Sequence, residues 1–253
     1  MALRLDPPYV DLTFMSPLSD QRAEELASFL AAAPAGTIVD VGCGWAELLL
    51  RAVEQSDAHT GVGIDLDGEA IAHGRKLAAA RGLADRVALV AGDGRTSAPR
   101  TPAAVISIGA SQIWRRDSDD ERLPYASALA GLRALVDRDA HVVFGDGIWS
   151  VPPTREATAA LGGPEDEMVD LANLVDFAEE AGFMPMAIGE ASVDEWDEFE
   201  SGFTACYTRW VSEHPPDHPD ADEARSRARR QRDAYLRGYR GVLGLAYLQL
   251  VAV

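Results

Sequence analysis

The stretch Val39-Asp40-Val41-Gly42-Cys43-Gly44-Trp45-Ala46-Glu47 constrains this chain more than any other. Thr37 to Val41 is a short run dominated by β-branched residues and bounded by glycine, the pattern of a buried strand. Gly42 and Gly44 then allow a tight turn and a close backbone approach to a ligand. Apolar periodicity from Ala46 to Gln55 starts a helix at once. In open α/β sheets, ligands lie beyond the carboxyl ends of strands, near the switch in strand order. The turn alone would serve any nucleotide-like cofactor.

Alternation continues on both sides of the turn. Upstream, Asp20 and Glu24 suit a helix N-terminus after Ser19, and Ala23, Leu26, Phe29, Leu30 and Ala33 make its apolar face, ending near Pro34 and Gly36. Downstream, strands are predicted at Gly61–Asp65, Arg86–Ala91, Ala103–Ile108 and Ala140–Gly145, with helices at Gly68–Arg81 and Glu121–Val136. Such alternation predicts a parallel sheet covered on both faces. Met168–Gly182 reads as a helix and Phe183–Ser192 as a strand. Largely helical sequence follows, Asp194–Glu213 and Ala221–Gly238, broken by the proline-rich His214–Pro219. A strand at Val242–Val251 closes the chain. The reading is a single domain over 1–253, with an N-terminal lid and helix over 1–34. A helical cap over 194–240 is inserted between the last two strands.

Charge narrows the partners. With 23 basic and 41 acidic residues the net charge is −18, which repels phosphate backbones, so no nucleic-acid partner is expected. The basic stretch Arg225–Arg232 reads as a solvated helix face. No apolar run reaches the roughly 20 residues of a membrane span, and the N-terminus lacks a secretory pattern. No membrane partner and a cytoplasmic location are expected. Cys43 and Cys206 form neither a disulfide framework nor a zinc cluster, and the five histidines show no ligand spacing, so no metal is expected. Cys43 reads as a small core residue rather than a nucleophile.

Two further strand ends sharpen the motif. Asp65 ends the second strand, where a carboxylate can accept from both ribose hydroxyls, and Leu66 can cover an adenine face. Gly92-Asp93-Gly94 ends the third, placing a carboxylate to accept from an adenine amino group. Asp40 and Asp93 each also have a plain reading as turn residues. With these partners, DVGCGWA resembles the DxGxGxG motif of class I S-adenosylmethionine-dependent methyltransferases, over about residues 35 to 150. The resemblance implies a Rossmann-like α/β sheet of seven strands, the last antiparallel, with S-adenosylmethionine as cofactor. It implies Gly42, Cys43 and Gly44 at the methionine part, Asp65 at the ribose, Leu66 at adenine, and Asp93 with Gly94 at the adenine edge. Asp40, Gly92, Ile108 and Gly109 complete the expected cofactor set. Ala46 replaces the third glycine, a physically mild departure.

The rival is a dinucleotide-binding domain with GxGxxG. There Glu47 falls on the third glycine, crowding helix against strand and setting a negative charge before a pyrophosphate. S-adenosylmethionine carries no phosphate and is a sulfonium cation. The alternatives are thus an NAD(P)-dependent oxidoreductase, or a non-catalytic S-adenosylmethionine-binding protein on the same fold.

Methyl transfer from a sulfonium is an in-line displacement that gains mainly from positioning, and a base is needed only where the acceptor must lose a proton. Ile106–Trp114 lacks the [DN]PP[YFW] of many amino-group methylating enzymes and the acidic ligand of catechol-type enzymes. Met15–Ser19, Ile108–Ser111, Gly145–Trp149 and Asp194–Ser201 resemble a bacterial group of small-molecule methyltransferases. Asp146 and Phe199 stand where that group has Glu and Tyr. Asp146 and Trp149 follow the fifth strand, Ser111 and Trp114 the fourth, so all should border the methyl, with Asp146 the candidate general base. Trp196, Phe199, Phe203, Tyr207 and Trp210 recur at helical spacing, most simply as a packing face. Trp196 and Phe199, with Tyr9 and Phe14, are expected to roof a pocket for a ring-bearing or apolar acceptor.

Overall fold

The computed structural model describes residues 3–116 and 122–253. Five parallel strands form the centre: β1 (Gly36–Val41), β2 (His59–Asp65), β3 (Val87–Ala91), β4 (Ala104–Ile108) and β5 (His141–Gly145). They lie in the order β3-β2-β1-β4-β5, so the switch in strand order falls between β1 and β4. Three strands complete the sheet: β6 (Gly147–Trp149), β7 (Phe183–Glu190) and β8 (Leu243–Ala252). β8 runs antiparallel to β5, β6 and β7. The expected sheet is present. Its one addition is β6, three residues that continue β5 beyond a break at Asp146 and pair with the same strand.

Strands buried on both faces explain the apolar runs. Under one face, α1 (Asp20–Ala31), α2 (Glu47–Glu54) and α3 (Gly68–Ala80) pack Leu26, Leu30, Leu49 and Ile71 against Ile38 and Ile106. On the other, α5 (Tyr125–Leu135) and α7 (Leu171–Glu180) set Leu129, Leu132 and Leu174 on Val39, Val41 and Phe144. Between these helices lie α4 (Gly94–Ser97), before α5, and α6 (Arg155–Leu161), after it, two short helices that periodicity does not reveal. Of the helix expected from Glu121, that residue lies outside the described ones; α5 begins at Tyr125, with Pro124 at its N-cap. α7 starts later than expected, where Asp170 accepts the N–H of Asn173 at 2.9 Å.

α8 (Val193–Glu213) and α9 (Ala221–Ala234) pack on each other, and α9 runs into a π-helical turn at Tyr235–Tyr239. Ser192 and Glu195 form a reciprocal capping box at the start of α8. The N-terminal segment lies along α8. Leu12 fills the space that a side chain at Gly202 would need, Arg209 pairs with Asp6 at 2.7 Å and with Asp11, and Leu3 and Leu5 pack on Trp210, Ala221 and Ala224. This segment therefore reaches the parallel sheet already fastened to the helical pair. No helix among the described residues is long and apolar enough to cross a membrane.

Candidate functional site

The site is built where β1 to β4 end. Gly42 turns with φ +79, and a Cβ there would stand 2.7 Å from the Cβ of Ala110. A Cβ on Gly94 would collide with Val41. Both positions leave room for backbone alone. Ala46 also takes a left-handed backbone, φ 63 and ψ 26. The replacement of the third glycine is therefore strained rather than mild, at about 1 kcal/mol. The turn is fastened from outside by Asp65, whose Oδ2 accepts the N–H of Gly44 and whose Oδ1 accepts that of Asp67, each at 2.8 Å. Trp45 donates its indole N–H to the carbonyl of Thr13 at 2.7 Å, holding the N-terminal segment over the turn.

One cavity of about 930 Å³ opens here. Asp40, Gly42, Cys43, Gly44, Asp65, Leu66, Gly92, Asp93, Gly94, Ile108 and Gly109 all line it. These are the eleven residues expected at a cofactor, and four strand ends bring them together. Leu66 is 78% exposed, an apolar side chain presented at the rim.

Among the described residues four carboxylates line the cavity, and they differ in company. Glu47 accepts from Arg51 at 2.8 Å and Arg81 at 2.6 Å, so its charge is neutralised and only its bulk opposes a dinucleotide. Asp93 caps α4 through the N–H of Arg95 and pairs with that guanidinium, both at 2.9 Å, which holds its carboxyl below the usual range. Asp65 takes the two backbone N–H groups. Asp40 is 4% exposed, and no hydrogen bond or ion pair to its carboxylate is made among the described residues. Burial, then the charge of Asp65, pushes its pKa well up. Burial likewise raises the Cys43 thiol, with Asp40 and Asp65 adding to the effect, so no thiolate is available there.

The expected acceptor residues distribute differently. Phe14 lines the cavity, under the guanidinium of Arg51 at 4.8 Å. Tyr9 instead stacks on His73 with centroids 4.0 Å apart. Ser111 is buried and gives its N–H to Asp146 at 2.9 Å. Trp114 covers Gly131 on α5. Trp149 is buried and donates to the carbonyl of Glu165 at 2.9 Å. Trp196 meets Phe199 and Tyr239 edge-on inside the helical pair. None of these six lines the cavity. Nor does Asp146: its Oδ2 takes the N–H of Ser111 and its Oδ1 that of Gly147, at 2.9 and 2.8 Å. Burial raises its pKa and the donors at Ser111 and Gly147 pull it back. Nearness to a strand end does not decide which side chains face a cavity: along a strand their direction alternates, and the ring of Trp149 on β6 is turned to the carbonyl of Glu165.

The wall opposite the glycine turn comes from Phe14, Met15, Ser16 and Leu18, and the rim also carries Arg95, Gln112, Ile113, Arg115 and Arg116. Met15–Leu18 had a signal in the sequence as one of the resembling pieces. The arginines had none, since no periodicity marks a loop side chain that faces a cavity.

Residues 38–123 match the model of a methyltransferase domain. The Escherichia coli protein YjhP is 23% identical over 209 residues, spanning 80% of this chain and 79% of YjhP. Its crystal structure aligns with a TM-score of 0.81 over 97% of this chain and 99% of that one. A methyltransferase from Geobacter sulfurreducens, crystallised with S-adenosylhomocysteine, aligns at 0.81 with 21% identity, covering 98% and 99% of the two chains. The methyltransferase ungE' of Aspergillus campestris is 24% identical over 186 residues, 71% of this chain and 51% of its own length. The strand order and the glycine turn agree with the methyltransferase domain matched over residues 38–123.

Proposed function

We propose that this enzyme transfers the methyl group of S-adenosylmethionine to a small-molecule acceptor by in-line displacement. The observation that carries the reading is the convergence of all eleven expected cofactor residues on one cavity. The residues suit the cofactor physically. A side chain at Gly42 or Gly94 would strike Ala110 or Val41, so backbone alone lines the cavity there, Asp65 and Asp93 offer carboxylates at two strand ends, Leu66 offers an apolar face, and Asp40 offers a buried carboxyl group.

When bound, S-adenosylmethionine supplies an electrophilic methyl group. The chain's own part is positioning. The glycine turn and Ile108–Gly109 hold the methionine side, while Phe14, Met15 and Leu18 exclude water and wall the acceptor space. Asp146 acts here as a positioning residue: it joins Ser111 to Gly147 and so sets the ends of β4 and β5. An apolar acceptor suits this wall, and a volume near 930 Å³ holds two small molecules. A cytoplasmic setting without nucleic-acid partners belongs to the same proposal. The net charge of −18 and two free cysteines support it.

Titration calorimetry with S-adenosylmethionine, S-adenosylhomocysteine and NAD(H) tests the reading, alongside Asp65→Ala. Binding of the first two, weakened in the variant, is expected. Preference for NAD(H) would overturn it.

A further inference from the structure

The charges that line the cavity are sorted along the chain. Every carboxylate among the described lining residues comes before β4: Asp40, Glu47, Asp65 and Asp93. Beyond β4 the lining carries Gln112, Ile113, Arg115 and Arg116, with no acidic side chain among the described residues. The earlier arginine of the rim, Arg95, is paired with Asp93 at 2.9 Å, and Glu47 is matched by Arg51 and Arg81. Positive charge therefore enters the cavity chiefly from the segment that follows β4.

That segment is fixed in place. Ser111–Trp114 is a single tight turn, closed by the N–H of Arg115 to the carbonyl of Gln112 at 3.1 Å. Before it, Ala110 meets Gly42, and within it Ile113 lies against both Gly42 and Gly94. At its end, the ring of Trp114 fills the space that a side chain at Gly131 on α5 would need. The turn is thus held by the glycine cradle on one side and by α5 on the other. Arg115 and Arg116 follow it directly, the first half-buried and the second exposed.

Both arginines also interact within the protein. A guanidinium carries several N–H donors in a planar fork, so it can keep such a partner and still take an anion. The surface works against an anionic ligand, since a net charge of −18 repels it at a distance. An acid that enters the cavity needs a local positive site. Phe14, Met15 and Leu18 wall the same cavity and suit an apolar body.

We propose that Arg115 and Arg116 are specificity-determining residues that take an anionic group, carboxylate or phosphate, on an otherwise apolar acceptor. The same pair repels a cationic acceptor. This rests on the methyltransferase reading above and adds to it the charge class of the substrate. The cofactor brings one anion of its own, the α-carboxylate, and the test separates the two sources.

Calorimetry at pH 7, on protein saturated with S-adenosylhomocysteine, compares three probes built on one ring: benzoate, phenyl phosphate and the neutral benzamide. At least one anion should bind more tightly than the amide by about tenfold or more, and the tighter one assigns the group. The double variant Arg115→Gln with Arg116→Gln, its fold checked by thermal melting, should lose this preference and keep its Kd for S-adenosylhomocysteine. Arg116→Gln alone changes an exposed position and should lose part of the preference even if the double variant fails to fold. Arg115→Lys should retain part of it, since the charge remains without the fork. Equal binding of the three probes, binding of none, or a preference that survives the double variant overturns the proposal. So does a double variant that weakens S-adenosylhomocysteine but not 5′-methylthioadenosine, which lacks the carboxylate, because the arginines would then hold the cofactor. Failure of the wild-type protein to bind S-adenosylhomocysteine, seen before any probe is added, overturns the cofactor assignment itself.

Discussion

Arg22 and Glu195 form a two-pronged pair, Nε to Oε1 and Nη2 to Oε2, each at 2.9 Å. The pair fastens α1 to the first turn of α8. Glu195, 6% exposed, also accepts from the N–H and hydroxyl of Ser19 and from the N–H of Ser192. The segment from Phe14 to Leu18, which walls the cavity, is thereby pinned at its end. Tyr247 adds a bond to the carbonyl of Pro17 at 3.0 Å.

That node makes stability depend on acid. Burial opposes the charge of Glu195, but the donors from Arg22, Ser192 and Ser19 outweigh it and bring its pKa from 4.5 down to about 2. A depressed carboxylate stabilises the fold above its unfolded pKa, and the contribution is lost as pH falls from about 4.5 toward 2. With Arg22 partly in solvent, it is on the order of 2 kcal/mol. Urea melts at neutral pH and near pH 2 should show Glu195→Gln less stable by that amount at the first and much closer to wild type at the second. An equal deficit at both would refute the account.

Asp146 separates positioning from proton transfer. In Asp146→Asn the amide can accept only one of the two N–H groups now shared between Ser111 and Gly147. We expect a loss of about 2 kcal/mol in stability and a lower kcat with the shape of its pH profile retained. Disappearance of an acidic limb from that profile would restore Asp146 as general base.

Glu47 answers the dinucleotide alternative directly. Glu47→Gly completes GxGxxG but strips Arg51 and Arg81 of a buried partner and puts glycine in the first turn of α2. A destabilisation of about 3 kcal/mol is expected, with no gain of NAD(H) binding. Acquisition of such binding would mean that the glutamate side chain was the only barrier.

The two small residues of the cradle should respond oppositely. Gly94→Ala drives a methyl into Val41 on a central strand, costing about 1–3 kcal/mol by overpacking and weakening cofactor binding. Ala46→Gly relieves left-handed strain but loses a buried methyl and backbone restraint. These effects are each about 1 kcal/mol, so the net change should be within about that value. Thermal melts of both variants decide.

The sequence by itself determined the sheet and the side of the cavity built from strand ends. Strand alternation, the two glycines and the carboxylates at Asp65 and Asp93 are local features, and a residue ending a parallel strand lands at one edge of the sheet whatever else the chain does. That is why Asp40 through Gly109 assembled as expected on β1 to β4. The short α4, α6 and β6 escaped because each is too brief to show a period. Tertiary structure alone decided which side chains face the cavity. Trp149, Trp196 and Phe199 were placed near it by sequence position and turned into packing, since apolar rings bury wherever neighbouring elements leave room. Met15, Leu18 and the arginines at 115 and 116 reach it from segments without periodicity. The orientation of Met15 and Leu18 comes from contacts such as Trp45 to Thr13 and Glu195 to Ser19, between residues 32 and 176 positions apart, and no local pattern encodes those.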